Sequence, residues 1–220
     1  MERRQIVACG GFLLGSAIDE YVLGLARGRK LLFVGTATGD DSSVIVLAYE
    51  RLAGRADVRH AKFFPWPPAD LRELALTSDV ICVGGGNTAN MLAIWRVHGF
   101  DAVLREAWER GVVLCGSSAG MICWFEAGIT DSFGPQLEGM RDGLGFLAGS
   151  ACPHYDGEEL RRPRYQELVA NGFPPGYAAD DAVALRFEGT ELAEVVAVAP
   201  GKHAYRVEPG VEERLDVRVL

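Results

Sequence analysis

The residues best suited to chemistry in this chain are Gly116-Ser117-Ser118-Ala119-Gly120, a G-x-S-x-G pattern that directly follows the apolar run Val112-Val113-Leu114-Cys115. A β-type run that stops at such a pattern and passes into helical spacing through Phe125 predicts a strand, a sharp turn and a helix. In that elbow the flanking glycines permit the close backbone approach and unusual dihedrals that lift the central hydroxyl, here Ser118, off the sheet edge. At the helix N-terminus, free N–H groups and the positive dipole end favour an oxyanion, and the Ala119 N–H points to where that charge develops. The chemistry would be nucleophilic attack on a carbonyl. The same five letters also suit a plain strand-to-helix turn, so the partners available to Ser118 must decide.

A serine hydroxyl is a poor nucleophile near neutral pH until a base accepts its proton, so a histidine is required, itself held by an acid or amide. The chain has four. His60 falls inside a predicted strand, His98 closes a predicted helix, and His203 sits by the Pro200-Gly201 turn; all three read as surface or capping residues. His154, in Cys152-Pro153-His154-Tyr155-Asp156, stands at the mouth of a short strand soon after the elbow helix. A loop there can return to the carboxyl ends of the strands, where ligands bind in open α/β sheets. The orienting acid is Asp181, which opens a predicted strand, or Asp131; Asp156 is too near His154 in sequence to be the first choice. With Asp181 the order is Ser, His, acid, unlike the Ser, acid, His order of α/β-hydrolases. The glycines of Gly84-Gly85-Gly86-Asn87 would let a second set of N–H groups approach the oxyanion. A phosphate cradle competes for that loop, but the Lys-Ser/Thr ending of a P-loop is missing.

The elements that must carry these residues follow from periodicity. Strands are predicted at Gln5–Ala8, Lys30–Ala37, Asp57–Phe64 and Asp79–Val83, alternating with helices over 16–27, after 42, after Asn87 and over 101–110. The near-continuous apolar run Asp79–Val83 suits a parallel strand covered on both faces. Such alternation predicts an α/β fold, a doubly wound, mostly parallel sheet with helices on both faces. The first βα turn, Gly10-Gly11, lacks the i, i+2, i+5 glycines of a dinucleotide site, because Phe12 stands at i+2. After the elbow, 129–149 is glycine-rich and broken, and Leu160–Ala170 reads as a polar helix. Strands at Ala182–Phe187, Glu194–Val198 and Ala204–Val207 are expected to extend the same sheet antiparallel.

Composition narrows the function classes. A length of 220 residues fits one domain, spanning 1–220, and 49% hydrophobic residues suffice for a sizeable core. The net charge of −8 argues against nucleic-acid binding, which needs a basic stripe. No apolar run is long enough to span a membrane, and the Met1-Glu2-Arg3-Arg4 start is unlike a signal peptide, so a cytoplasmic protein is expected. Cys9, Cys82, Cys115, Cys123 and Cys152 are odd in number, lack C-x-x-C spacing, and read as buried free thiols rather than metal ligands. Composition leaves monomer and homodimer both open.

Taken together, Gly84-Gly85-Gly86-Asn87-Thr88, Gly116-x-Ser118-Ala119-Gly120, Pro153-His154-Tyr155 and Asp180-Asp181 resemble the peptidase E (aspartyl dipeptidase) group of serine peptidases, which includes the cyanophycinases. The similarity runs from about Val7 to Val207. It implies a flavodoxin-like, class I glutamine-amidotransferase-like fold, no cofactor, and a short peptide substrate that loses an N-terminal aspartate. It also implies Ser118 as nucleophile, His154 as base, and Gly85, Gly86 and Ala119 as the oxyanion hole. The third member matches Asp181, where several relatives carry Glu; Asp131 falls near an aspartate once proposed for that role. Arg161 and Arg162 follow His154 where the family has a basic residue, and an Arg fork suits an acidic side chain. The rivals are a same-family peptidase of other preference, such as a carboxypeptidase or a cyanophycinase-like hydrolase of β-aspartyl polymers, and a non-catalytic amidotransferase-like binding domain.

Overall fold

The computed structural model describes residues 3–11 and 14–220; Met1 and Glu2 of the start, and Phe12 and Leu13 beyond the first glycine turn, lie outside them. In chain order the first half runs β1 (Gln5–Cys9), α1 (Ala17–Leu25), β2 (Lys30–Val34), α2 (Ser42–Leu52), β3 (Asp57–Ala61), α3 (Leu71–Leu76) and β4 (Val80–Val83). Next come α4 (Thr88–Val97), α5 (Phe100–Glu109), β5 (Val113–Ser117), α6 (Ala119–Ile122), β6 (Phe125–Thr130), β7 (Glu138–Met140) and β8 (Leu147–Cys152). The chain ends with α7 (Arg161–Ala170), β9 (Gly176–Ala179), β10 (Val183–Glu188), β11 (Glu191–Ala197), β12 (Ala204–Glu208), β13 (Val211–Arg214) and β14 (Arg218–Val219).

Two mixed sheets result. The larger has the order β14-β11-β10-β1-β5-β4-β2-β3, and its five central and outer strands from β1 to β3 are parallel. Alternation along these strands sorts the core. In β1, Ile6 and Ala8 face one hydrophobic cluster while Val7 and Cys9 face the other. Helices α1 and α2 cover the second face with Ile18, Val22, Ile45, Ala48 and Leu52; α4, α5 and α6 cover the first with Trp95, Leu104, Trp108 and Met121. Helices on both faces explain why the inner strands β1, β4 and β2 are almost wholly buried, while the edge strand β3 keeps Asp57, Arg59 and His60 exposed.

The expected single extended sheet is only half right. Strand β10 does continue the larger sheet antiparallel to β1, and β11 follows antiparallel to β10. But β12 and β13 join a second, six-stranded sheet of order β13-β12-β9-β8-β6-β7. Of its four inner strands, β6, β8 and β9 run parallel and β12 antiparallel to them. The elbow helix is also shorter than expected. It stops at Ile122, and Phe125 already opens β6, because an apolar run this short fits a buried helix or a buried strand equally well by spacing. The region read as broken therefore supplies β7 and the start of β8, and α3 was not foreseen. Strands β2 and β3 end three residues earlier than predicted, where Thr36–Thr38 turns as a short 3-10 segment and Phe63 packs inward.

Candidate active site

The strand, sharp turn and helix expected around Ser118 are present, with β5 giving way to α6 at that residue. Ser118 has φ 58 and ψ −114, a sparsely populated conformation for a residue with a side chain. The turn closes because Gly116 and Gly120 carry no Cβ: one at Gly116 would lie 2.8 Å from Gly120 Cα, and one at Gly120 would lie 3.0 Å from Val83 carbonyl carbon. Gly84-Gly85-Gly86 follows the neighbouring strand β4, and a Cβ at Gly85 would be 3.2 Å from Ser118 Cβ and 3.6 Å from its Oγ. The loop is therefore in contact range of the hydroxyl. Gly84 and Asn87 donate to Val34 and Ala37 carbonyls (3.0 and 2.8 Å), while Gly85 and Gly86 form no such bond among the described residues. Asn87 caps α4 by accepting from Asn90 N–H (2.9 Å), as expected, and its Nδ2 donates to Ser132 O (2.9 Å), tying this loop to the turn after β6.

His154 and Asp181 come from the other sheet. They lie just past the carboxyl ends of the adjacent parallel strands β8 and β9. His154 Nδ1 and Asp181 Oδ1 are 2.6 Å apart, with side chains 21% and 16% exposed. A carboxylate only accepts, so Nδ1 carries a proton, and in the neutral ring Nε2 keeps its lone pair. No hydrogen bond joins Ser118 Oγ to the ring among the described residues; such bonds often tighten only when substrate is present.

One short segment, read in the sequence only as a failed dinucleotide turn, links Ser118, His154 and the residue after Asp181. The carbonyls of Cys9, Gly10 and Gly11, consecutive at the end of β1, accept the amides of Ser118 (3.2 Å), His154 (3.2 Å) and Ala182 (3.0 Å). Ser118, His154 and Ala182 are also three of the four non-glycine residues with positive φ among those described, at 58, 53 and 63. Each such residue costs roughly 1–3 kcal/mol. A net hydrogen bond contributes only about 1 kcal/mol, so the surrounding packing must supply the rest. The sequence signal was present: two adjacent glycines directly after the first strand.

The remaining predicted residues fall elsewhere. Asp131 is exposed, on the turn beside Ser132, and makes no hydrogen bond to His154 among the described residues. Arg161 is 4% exposed; its Nε bonds Glu158 (2.7 Å) and its Nη1 bonds Ile129 O (3.3 Å). Arg162 pairs with Glu212 and lies over the Tyr155 and Tyr205 rings. Asp156, set aside as too close to His154, accepts the Asp181 amide (2.8 Å) and pairs with Lys202. Burial alone would raise its carboxyl, but the Lys202 and Asp181 donors outweigh this and hold it below its ordinary value. Asp180 accepts His203 N–H (2.8 Å), and burial pushes its carboxyl up. His60 bonds Tyr49 and His98 packs against Phe63, as befits structural histidines.

All five cysteines are buried and free, and burial pushes the Cys9 thiol up to about 12, so no thiolate competes as nucleophile there. Among the described residues no group of three metal-ligating side chains converges, and no helix is long and apolar enough to cross a membrane.

Known proteins resemble this chain closely. A family model described as Peptidase family S51 matches residues 14–195. A curated relative, the uncharacterized peptidase YgaJ of Bacillus subtilis (strain 168), is 45% identical over 213 residues, 93% of this chain and 92% of that protein. The crystal structure of a peptidase from an acI-B1 Actinobacterium matches with TM-score 0.73 at 17% identity, covering 98% of this chain and 95% of that one. A Listeria monocytogenes EGD-e protein proposed to be a peptidase E matches with TM-score 0.68 at 17% identity, covering 90% and 100%. At that identity the two structures bear on the fold alone, and the fold they share is α/β.

Proposed function

The chain belongs to peptidase family S51 and is a serine peptidase, and on that premise we propose that Ser118, His154 and Asp181 form its catalytic triad. The observation that carries this reading is the 2.6 Å His154–Asp181 pair, with the amides of Ser118, His154 and Ala182, the residue after Asp181, held by three successive carbonyls. Ser118 Oγ attacks the peptide carbonyl while His154 Nε2 takes its proton. Asp181 holds the imidazole in the productive tautomer and offsets the imidazolium charge. The tetrahedral oxygen is received by the N–H groups of Ala119 and of Gly85 or Gly86. His154 then protonates the leaving amine, and water, deprotonated by the same ring, releases the acyl group. No metal or cofactor enters this scheme.

The substrate we propose is a short peptide with an acidic first residue. One observation favours a second reading, a same-family peptidase of different preference: both arginines suggested for an acidic side chain are already engaged, Arg161 by Glu158 and Ile129 O, Arg162 by Glu212. A panel of Asp-Xaa, Glu-Xaa and neutral Xaa-Xaa peptides separates them. Hydrolysis confined to Asp-Xaa supports the first reading; equal turnover of neutral peptides supports the second. Fluorophosphonate labelling at Ser118 tests the nucleophile, and wild-type turnover by Ser118→Ala would contradict the scheme.

A further inference from the structure

The Asp181 carboxylate is packed between two glycines from different loops. A Cβ on Gly11 would lie 2.9 Å from both His154 Cε1 and Nδ1, and closer still to Asp181 Oδ1. A Cβ on Gly157 would lie 3.2 Å from Asp181 Cγ, and closer still to Oδ2. Each carboxylate oxygen thus faces one glycine Cα. Gly11 belongs to the segment after β1, whose own carbonyl accepts the Ala182 amide, and Gly157 to the loop between His154 and α7. From behind, the Asp156 carboxylate accepts the Asp181 amide, fixing the main chain at the same residue.

We propose that Gly11 and Gly157 are positioning residues that form a cage sized for aspartate, and only aspartate, as the acid behind His154. The inference rests on the Ser118–His154–Asp181 reading. With the backbone fixed at Asp181 N and Ala182 N, the carboxylate has one reach to Nδ1. A methyl at either glycine must displace it, and real Cβ atoms do not sit at such separations from their neighbours. Displacing the acid frees the ring to turn away from Ser118, and a misplacement on the order of 1 Å costs about 100-fold in rate. The extra methylene of glutamate fails for the same reason, approached from the other side.

The test compares Gly11→Ala, Gly157→Ala and the control Gly24→Ala, whose Cβ meets nothing within 4 Å on α1. Fold is checked by circular dichroism, and activity by turnover of the best peptide and by the rate of fluorophosphonate labelling. The expected result is a kcat loss of about 100-fold for each cage variant with KM within about threefold, and about no change for Gly24→Ala. The downfield proton resonance of His154 Nδ1–H should shift or vanish in the cage variants. A merely structural role is separated by the Asp181→Ala background, where neither glycine substitution should cost more than about threefold. Equal losses in both backgrounds, or wild-type kcat in a folded cage variant, would overturn the cage. If neither alanine variant folds, Asp181→Glu decides: a loss as deep as that of Asp181→Ala supports it, and activity within tenfold of wild type overturns it. Wild-type kcat for Asp181→Ala would instead sink the triad itself.

Discussion

The two sheets contribute to the site in different ways. The larger sheet delivers Ser118 and the proposed oxyanion donors from strand ends β5 and β4, neighbours in the sheet, through turns whose conformation is encoded in a few contiguous residues. The smaller sheet delivers His154 and Asp181 from beyond β8 and β9, 27 residues apart in sequence, and their placement depends on each other as well as on the amides of His154 and Ala182, which like that of Ser118 reach back to the end of β1. A nucleophile can be built locally. A base and its acid are assembled by tertiary contacts, so they are where distant substitutions should be felt.

The deepest break in this contrast is Ser118→Ala. Hydrolysis should fall by more than about 10⁴-fold with the thermal transition unchanged, since alanine keeps the Cβ and the backbone of the turn and loses only the hydroxyl. Adding His154→Ala to it should cost little more, because the two act as one unit. Asp181→Asn should follow with a loss of about 10³- to 10⁴-fold in kcat, read by steady-state kinetics, because the amide favours the wrong tautomer. Gly85→Ala sharpens the local side. Its methyl would stand 3.2 Å from Ser118 Cβ, and about a 10- to 100-fold loss in kcat is expected without loss of stability.

Two weaker substitutions probe the frame of the smaller sheet. Arg161→Ala leaves the Ile129 carbonyl and Glu158 without their donor and should lower stability by about 1–3 kcal/mol in denaturant unfolding. If Arg161 instead bound substrate, KM would rise with stability unchanged. Asp156→Asn should have the smallest effect, under about 1 kcal/mol, because the Lys202 pair is about a third exposed. Its carboxyl is held below its ordinary value, so the wild-type advantage should be full above the ordinary carboxylate range near about 3.9 and vanish as pH falls through the folded-state value. Thermal unfolding of both proteins from pH 7 to pH 2 reads this directly.

Legibility in the sequence followed the same division. Asn87 as a cap, the elbow at Ser118 and the apolar parallel strands are written in contiguous residues, and all were readable. The second sheet was not, because the start of β6 continues the apolar run of the elbow helix and pairing between strands is invisible to periodicity, so even the short strand before His154 could not be assigned its neighbours. The pairing of His154 with Asp181 rather than Asp131 could be ranked only by the predicted strand that Asp181 opens and by resemblance. Gly10-Gly11 was noticed for the wrong chemistry, since its role lies in carbonyls and in missing side chains, which no motif of side-chain types records.

The central claim is that one imidazole and two sets of main-chain amides surround the Ser118 oxygen. A crystal structure of the fluorophosphonate adduct tests it most directly. The account predicts phosphorus on Ser118 Oγ, the phosphonyl oxygen about 2.7–3.1 Å from the Ala119 amide and one amide of Gly85 or Gly86, and His154 Nε2 facing the adduct with Nδ1 still on Asp181. An adduct whose phosphonyl oxygen points to solvent, or a His154 ring out of reach with Asp181 bonded elsewhere, would contradict it.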